Sequence, residues 1–264
     1  MSYETITVEV KDSVGRLTFN RPKYLNAYSQ QMSDELVKGI DQLANDPAAR
    51  VIVITGAGQA FMAGADIGGM LKGWAHAEGG AAEVEEILSH HFAPTKLEQC
   101  PKPVIGAING FAFGFGCEIA IGCDIRICTQ SAQFAQPEIT LGIMTGGGGS
   151  QRLPHLVGYG KAVEMVLTGD PITADEALKY GLVTQVVPDD QLEEAVAVMV
   201  KKLLKKSDTA LRLSKEVLVA ALNNGLYDGV AQEVKTFASI FESKDAKEGI
   251  AAFLEKRRPE FNKG

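Results

Sequence analysis

The 264-residue sequence lacks the features that mark membrane-embedded or nucleic-acid-binding proteins. No apolar run reaches the roughly 18 residues that a membrane-spanning helix needs. Positive charge is not in excess, because 26 Lys and Arg residues stand against 33 Asp and Glu residues and leave a net charge of −7. We therefore expect a protein that binds neither membranes nor nucleic acid in general, since both would require clustered positive charge.

Cysteine is also scarce, and its pattern does not indicate a metal site. Cys100, Cys117, Cys123 and Cys128 lie within one short stretch, without the spacing of a zinc or iron–sulfur motif. Three of them fall in apolar segments, so we predict reduced core residues and no bound metal. The opening MSYETITVEV has neither a basic start nor an apolar stretch, and we expect a cytoplasmic protein.

Hydrophobic periodicity predicts an α/β core followed by helices. Residues 4–10 and 16–20 alternate between apolar and polar side chains, which predicts an antiparallel hairpin. A helix capped by Ser29 and a buried strand over residues 50–55 come next, and a strand–helix–strand order implies a crossover connection. Further strands are predicted over residues 104–108, 124–129 and 182–187, with residues 56–64 as a loop and 82–99 as a helix.

Beyond Pro188 the pattern is nearly all helical. We predict helices at about residues 192–205, 209–222, 229–241 and 244–257. The predicted organisation is a core over residues 1–190 and a helical region over residues 191–264. Spacing alone leaves open whether these helices form a separate lobe or an assembly surface.

Glu118 is the first candidate for chemistry. It is the only charged residue between Gly110 and Cys123, and its apolar neighbours predict a buried carboxylate, which is rare without a partner. Gly114 and Gly116 predict a tight turn before it, from which a short helix opens. The start of a helix presents unpaired amides and a positive dipole.

Glu138 is the second candidate. It follows a proline and precedes the four-glycine run Gly146–Gly149, which is typical of a loop that wraps around a ligand. Two carboxyl groups in one apolar pocket do not both ionise easily, so one would serve as acid and the other as base. The residues alone leave an alternative open, because the chain has 33 acidic residues and the glycines could serve only helix packing.

Three segments carry a resemblance to a known family. AFMAGADI at 60–67, KPVIGAINGFAFGFGCEIAIGCDIRI at 102–127 and AQFAQPEITLGIMTGGGGSQRLPHLVG at 132–158 resemble the signature blocks of the enoyl-CoA hydratase (crotonase) family. With NRPKYLNA near the start, the resemblance covers nearly the whole chain. It implies an α/β fold, a crotonase-like spiral of ββα units, with a C-terminal helical trimerisation region.

The resemblance also implies a role for each catalytic group. Glu118 would activate water, Glu138 would protonate the substrate at C2, and the amides of Ala65 and Phe115 would hold the thioester oxygen. Gly146 would position the water through its N–H. The sequence departs from the family at Phe115, where glycine is usual, and at Thr145, where proline is usual; the first would affect acyl preference and the second would reshape the far wall of the pocket.

The implied ligand is an acyl-CoA substrate, with coenzyme A entering as part of that substrate and no separate cofactor. Its arm would lie along the AGADI loop, at Ala63, Ala65, Asp66 and Ile67, with Lys23 near the phosphates. Phe237 and Lys256 would close over the arm across a subunit boundary. The family assembles as a homohexamer, a dimer of trimers, which we expect here.

The expected reaction is addition of water across the 2,3 double bond of an enoyl-CoA thioester to give a 3-hydroxyacyl-CoA. A cyclic or dienoyl-CoA substrate stays open because of Phe115 and Thr145. Another reaction of the family, such as isomerisation or ring-opening hydrolysis, is a second alternative. A non-catalytic acyl-CoA-binding or assembly protein is a third.

Overall fold

Two β-sheets and the helices packed on them build the core. The computed structural model describes residues 3–90 and 92–263, except for the side chain of residue 90. In chain order the strands are β1 (Ile6–Lys11), β2 (Val14–Phe19), β3 (Val51–Gly56), β4 (Ala60–Met62), β5 (Val104–Ile108), β6 (Phe111–Phe113), β7 (Ile125–Thr129), β8 (Gln133–Ala135), β9 (Ile172–Thr173) and β10 (Gln185–Val187).

The α-helices pack around these strands, and short 3₁₀ or π-helical turns connect some of the elements. The α-helices are α1 (Gln30–Asn45), α2 (Lys72–Ala75), α3 (Gly80–His90), α4 (Ala93–Gln99), α5 (Phe115–Gly122), α6 (Gly149–Val157), α7 (Tyr159–Thr168), α8 (Ala174–Lys179), α9 (Leu192–Leu203), α10 (Asp208–Ala220), α11 (Leu226–Ile240) and α12 (Lys244–Leu254).

From β3 to β8, successive strands alternate between the two sheets. The larger sheet has the order β1-β2-β3-β5-β7-β10 and the smaller one the order β4-β6-β8-β9. Each pair β3–β4, β5–β6 and β7–β8 therefore places one strand in each sheet before the chain turns into helix, and neighbouring turns pair in parallel. This arrangement is a spiral of ββα units, which confirms the predicted fold class.

The opening hairpin and the first helix follow from local sequence. β1 and β2 pair antiparallel, and Asp12 and Ser13 turn the chain with φ of 50° and 64°. Such a two-residue turn matches the twist of the two strands. The Ser29 side chain accepts a hydrogen bond from the Met32 amide and caps α1, so both predictions are confirmed.

Two predicted elements are wrong. The single helix over residues 82–99 is two helices, α3 and α4, and Pro94 occupies the first turn of α4. A proline ring clashes with a preceding helical turn and is best tolerated in the first turn of a helix, so a new helix starts here. The loop predicted over residues 56–64 contains β4, because a strand of three residues is too short to show alternation.

The core lies on both faces of the larger sheet. One cluster fills the space between the sheets and helices α1, α4 and α5. A second cluster packs α9 against the opposite face, through Leu192, Val196 and Val200. The boundary at residue 190 stays a prediction, and α9 just beyond it contacts the strands β5 and β7.

The four cysteines are buried and form no disulfide. Burial raises the pKa of Cys117 and Cys123 to about 12, so both thiols stay protonated at neutral pH. The prediction of reduced core residues is confirmed.

The last helices leave many large apolar side chains exposed, among them Tyr227, Phe237 and Phe253. Exposed apolar clusters of this kind typically mark an interaction surface. Among the helices of the described residues, none combines the length and the apolar character that a bilayer crossing requires.

Candidate active site

A cavity of about 1180 Å³ opens where the loop after β4, the start of α5 and the loop before α6 meet. Both Glu118 and Glu138 line it, together with Ala65, Phe115 and Gly146. Much of the remaining wall is apolar. It includes Leu71 and Trp74 at α2, Val84 and Leu88 on α3, and Phe92 before α4. A mostly apolar cavity with a few convergent polar groups is the usual form of a small-molecule site.

Glu118 is held by three hydrogen bonds at one oxygen. The side chain is buried, with 1% of its residue surface exposed. Its Oε1 accepts from the Thr145 hydroxyl at 2.6 Å, from the Gly147 amide at 2.7 Å and from the Gly149 amide at 2.8 Å. Burial raises the pKa of Glu118, while these three bonds oppose that rise by favouring the ionised form.

Glu138 lies in a different environment in the same cavity. Burial first, and the charge of Glu118 in addition, raise the pKa of Glu138 to about 7. The neighbouring hydrogen-bonding groups favour the orientation of the Gln136 side-chain amide in which its nitrogen faces Glu138. In this orientation the nitrogen lies 3.3 Å from each carboxylate oxygen of Glu138. Glu138 therefore keeps its proton to a higher pH than an exposed glutamate would.

Glycines allow the backbone to approach both carboxyl groups closely. A Cβ atom added at Gly147 would lie 2.3 Å from Oε2 of Glu118, and one at Gly114 would lie 3.0 Å from Oε1 of Glu138. Gly114 also has φ of 52° with ψ of −122°, a conformation that glycine adopts without strain. These positions accept only glycine if both carboxyl groups keep their places.

The amides of Ala65 and Phe115 lie at two loops that touch. A Cβ added at Gly114 would be 3.7 Å from the Cα of Gly64, so the residues that follow each glycine are neighbours in space. Phe115 is the first residue of α5, where helix amides have no acceptor within the helix. Within residues 3–90 and 92–263, neither amide donates to a backbone or side-chain acceptor.

The Phe115 ring stacks on Tyr28, with 3.9 Å between ring centroids and 29° between ring planes. Both residues line the cavity, and Tyr28 is fully buried. A Cβ at Gly147 would come within 2.9 Å of the Phe115 ring, so the ring lies beside the loop that binds Glu118. The position predicted to influence the acyl group is therefore part of the cavity wall.

The structure brings Ala63, Ala65 and Ile67 to the cavity, but the other predicted binding residues lie elsewhere. The Asp66 carboxylate accepts from the Gly69 amide and pairs with Arg21 at 3.1 Å, so it caps the turn that follows. Lys23 is exposed in a short helical turn, Pro22–Tyr24.

Phe237 and Lys256 belong to the helical region. Phe237 is 65% exposed on α11, and Lys256 follows α12 on the surface. Within the described part of the chain, neither residue lines the cavity. Their closure over a substrate from a neighbouring subunit stays a prediction.

The prediction that Thr145 reshapes the far wall of the pocket stays a prediction, and the structure gives this residue another contact. It is buried, and its hydroxyl reaches Glu118. The roles of Gly147, Gly149 and Gln136 were also not predicted. The glycine run indicated a ligand-binding loop, but which of its amides bind a carboxylate depends on the fold.

Comparison with known proteins gives the same family as the sequence motifs. Residues 9–264 match the family described as enoyl-CoA hydratase/isomerase. The chain is 40% identical over 262 residues to a "probable enoyl-CoA hydratase" of Mycobacterium tuberculosis and 40% identical over 264 residues to a "crotonyl-CoA hydratase" of Syntrophomonas wolfei, with 99% of each chain covered in both cases.

A solved structure agrees. The crystal structure of an enoyl-CoA hydratase from Bacillus anthracis superposes with a TM-score of 0.89 at 37% identity, covering 98% of this chain and 99% of the other. Since the family match spans nearly the whole chain and the relatives align over their full length, the chain belongs to the enoyl-CoA hydratase/isomerase family.

Proposed function

We propose that the protein adds water across the 2,3 double bond of an enoyl-CoA thioester to give a 3-hydroxyacyl-CoA. The observation that carries this proposal is the pair of glutamates that line one cavity, one of them anchored at a single oxygen by three hydrogen-bond donors. Burial raises the pKa of the other, Glu138, to about 7, which suits an acid. Relatives named enoyl-CoA hydratase and crotonyl-CoA hydratase at 40% identity support the same reaction.

The two glutamates divide the proton transfers. Glu118 takes a proton from water through Oε2 as the water oxygen forms a bond to C3, and the double-bond electrons move through C2 to the thioester oxygen. Glu138 then gives its proton to C2 as the carbonyl re-forms. Glu118 ends protonated and Glu138 ionised, and exchange with solvent restores the starting state. General acid and base groups of this kind typically contribute about 10²- to 10⁴-fold each.

The amides of Ala65 and Phe115 form the oxyanion hole in this proposal. Negative charge collects on the thioester oxygen during the reaction, and preorganised backbone donors stabilise it before solvent can reorganise. Among the residues that the structure describes, neither amide has an acceptor, and Phe115 lies at the start of α5; both facts support this role. The Gly146 amide, beside them in the cavity, would orient the attacking water.

The coenzyme A arm would follow Ala63, Ala65, Asp66 and Ile67, with Lys23 near its phosphates. The apolar wall from α2 and α3 would hold the acyl group. Coenzyme A arrives with the substrate, so no separate cofactor is needed, and treatment with a metal chelator should leave the rate unchanged.

We propose a homohexamer, a dimer of trimers, in which Phe237 and Lys256 reach the arm bound by a neighbouring subunit. The exposed apolar side chains of α11 and α12 support assembly through these helices. Sedimentation at working concentration would test the oligomer. The cytoplasmic location also stays a prediction, which cell fractionation would test.

Crotonyl-CoA hydration, followed by loss of the enoyl absorbance, tests the function. Glu118→Gln and Glu138→Gln should each lower turnover by about 10²- to 10⁴-fold with substrate binding largely kept. The activity of the wild type should fall above about pH 7, where Glu138 loses its proton. Near-normal rates in either variant would refute the assignment.

A panel of straight-chain, cyclic and dienoyl-CoA substrates, assayed side by side, would separate the reactions of the family. If the protein does not hydrate crotonyl-CoA but hydrates a cyclic or dienoyl-CoA, the proposed reaction stands and the proposed acyl group changes. No hydration of any member of the panel would overturn the proposed function.

A further inference from the structure

The Thr145 hydroxyl is the one side-chain donor among the three groups that bind Glu118. Both residues are buried, with 4% of Thr145 and 1% of Glu118 exposed. A hydroxyl group carries a single proton, and at 2.6 Å this proton is directed to the carboxylate. Hydrogen bonds to an ionised group are shorter and stronger than those between neutral groups.

The hydrogen bonds make the two oxygens of Glu118 unequal. All three donors bind Oε1, which anchors that oxygen. In the described part of the chain, Oε2 accepts no hydrogen bond, and no fully buried side-chain oxygen or nitrogen lacks a partner. Oε2 therefore keeps accessible surface, and it is the oxygen that the cavity can reach.

Thr145 also ties the glycine loop to α5. Of the two amide donors, Gly147 belongs to the same loop as Thr145 and Gly149 is the first residue of α6, which follows that loop. Glycine-rich backbone of this kind is flexible. A Cβ added at Gly149 would lie 2.7 Å from the Thr145 Oγ1, so the hydroxyl also packs against the loop backbone. One hydrogen bond thus fixes both the carboxylate and the loop that holds it.

We propose that Thr145 is a positioning residue that anchors Oε1 of Glu118 and leaves Oε2 facing the cavity to take the proton from water. This inference rests on the proposed hydratase function. After burial, which raises the pKa of Glu118, the Thr145 hydrogen bond is the largest influence, and it acts in the opposite direction. By opposing that rise, Thr145 favours the ionised form of Glu118, which is the form that a base needs.

The test compares Thr145→Val, which keeps the size but removes the donor, with Thr145→Ser, which keeps the donor. Loss of a hydrogen bond to a charged group should lower kcat at neutral pH by about 10- to 100-fold, with KM nearly unchanged. The acidic limb of the pH profile should move up by about one pH unit or more. Thr145→Ser should show the wild-type rate and the wild-type position of the acidic limb.

A second readout does not depend on activity. NMR titration of carboxyl-labelled glutamate, in the Glu138→Gln background to avoid coupling between the two groups, should show Glu118 titrating at higher pH in Thr145→Val than in the parent. Thr145→Cys, a weaker donor of similar size, serves if the valine variant does not fold.

The outcomes separate the two proposals. An unchanged pH profile and an unchanged Glu118 titration in a folded donor-deficient variant would overturn the role of Thr145. A lower rate without either shift, or without rescue by serine, would also overturn it, because a purely structural defect has that signature. A wild type that hydrates no enoyl thioester would refute the function, while the titration would still decide whether Thr145 keeps Glu118 ionised.

Discussion

Replacement of Glu138 by glutamine should make the protein more stable at high pH while it impairs catalysis. The pKa of this carboxyl is raised from its usual 4.5 to about 7, first by burial and then by the charge of Glu118. Between these two values the folded protein holds a proton that the unfolded chain has released. The free energy of unfolding of the wild type therefore falls as pH rises through this range.

The magnitude follows from the two pKa values. Each unit of difference between the folded and unfolded pKa values corresponds to about 1.4 kcal/mol, so the loss in free energy of unfolding reaches about 3 kcal/mol above pH 7. About 2 kcal/mol of it should lie between pH 5 and pH 8, because part of the loss occurs below pH 5 and the group retains some solvent contact. Glu138→Gln has no such titration, so its stability relative to the wild type should rise by this amount between the two pH values.

Urea unfolding of both proteins at pH 5 and pH 8, at one fixed protomer concentration, measures the difference. Fixed concentration is needed because subunit assembly contributes to the apparent stability. Glu194→Gln, which changes an exposed glutamate on α9, is the matched control and should follow the wild type. The same pH dependence in wild type and Glu138→Gln would refute the argument that the fold holds Glu138 protonated at a cost in stability.

Two further changes test other parts of the structure. Gly147→Ala should lower the hydration rate by about 100-fold, because its Cβ would lie 2.3 Å from Oε2 of Glu118. Gly160→Ala is the control, since its Cβ would meet no atom within 4 Å. Equal hydration rates in the two variants would contradict the close approach at Gly147. Lys215→Met should lower the free energy of unfolding by about 3 kcal/mol, because the buried ammonium pairs with Asp124 at 2.8 Å. Urea unfolding measures this loss, with Lys201→Met, at an exposed lysine, as the control. Equal losses of unfolding free energy in the two variants would show that the ion pair contributes little.

Local sequence was sufficient for the elements that local chemistry controls. The β1–β2 hairpin follows from alternation, and the start of α1 follows from the capping preference of Ser29. Thr173 likewise caps α8 through a reciprocal pair of bonds with Glu176. The strands of the smaller sheet were missed, because elements of two or three residues carry no measurable period.

The sequence by itself determined the kind of chemistry available. A lone carboxylate in an apolar segment and a run of glycines after a second carboxylate can both be recognised without coordinates. Both patterns are uncommon, because burying a charge costs free energy and a run of glycines costs conformational entropy, so each indicates a functional site. The motifs around Glu118 and Glu138 were sufficient to indicate the family, which the comparisons confirm.

Only the tertiary structure decided how the two carboxyl groups differ. The donors to Glu118 come from residues 27 to 31 positions later in the chain, and no local pattern encodes that contact. Their convergence on Oε1 depends on how α5 packs beside the glycine loop. The environment of each carboxyl, and therefore which one holds a proton, arises from desolvation and charge that exist only once the distant segments have come together.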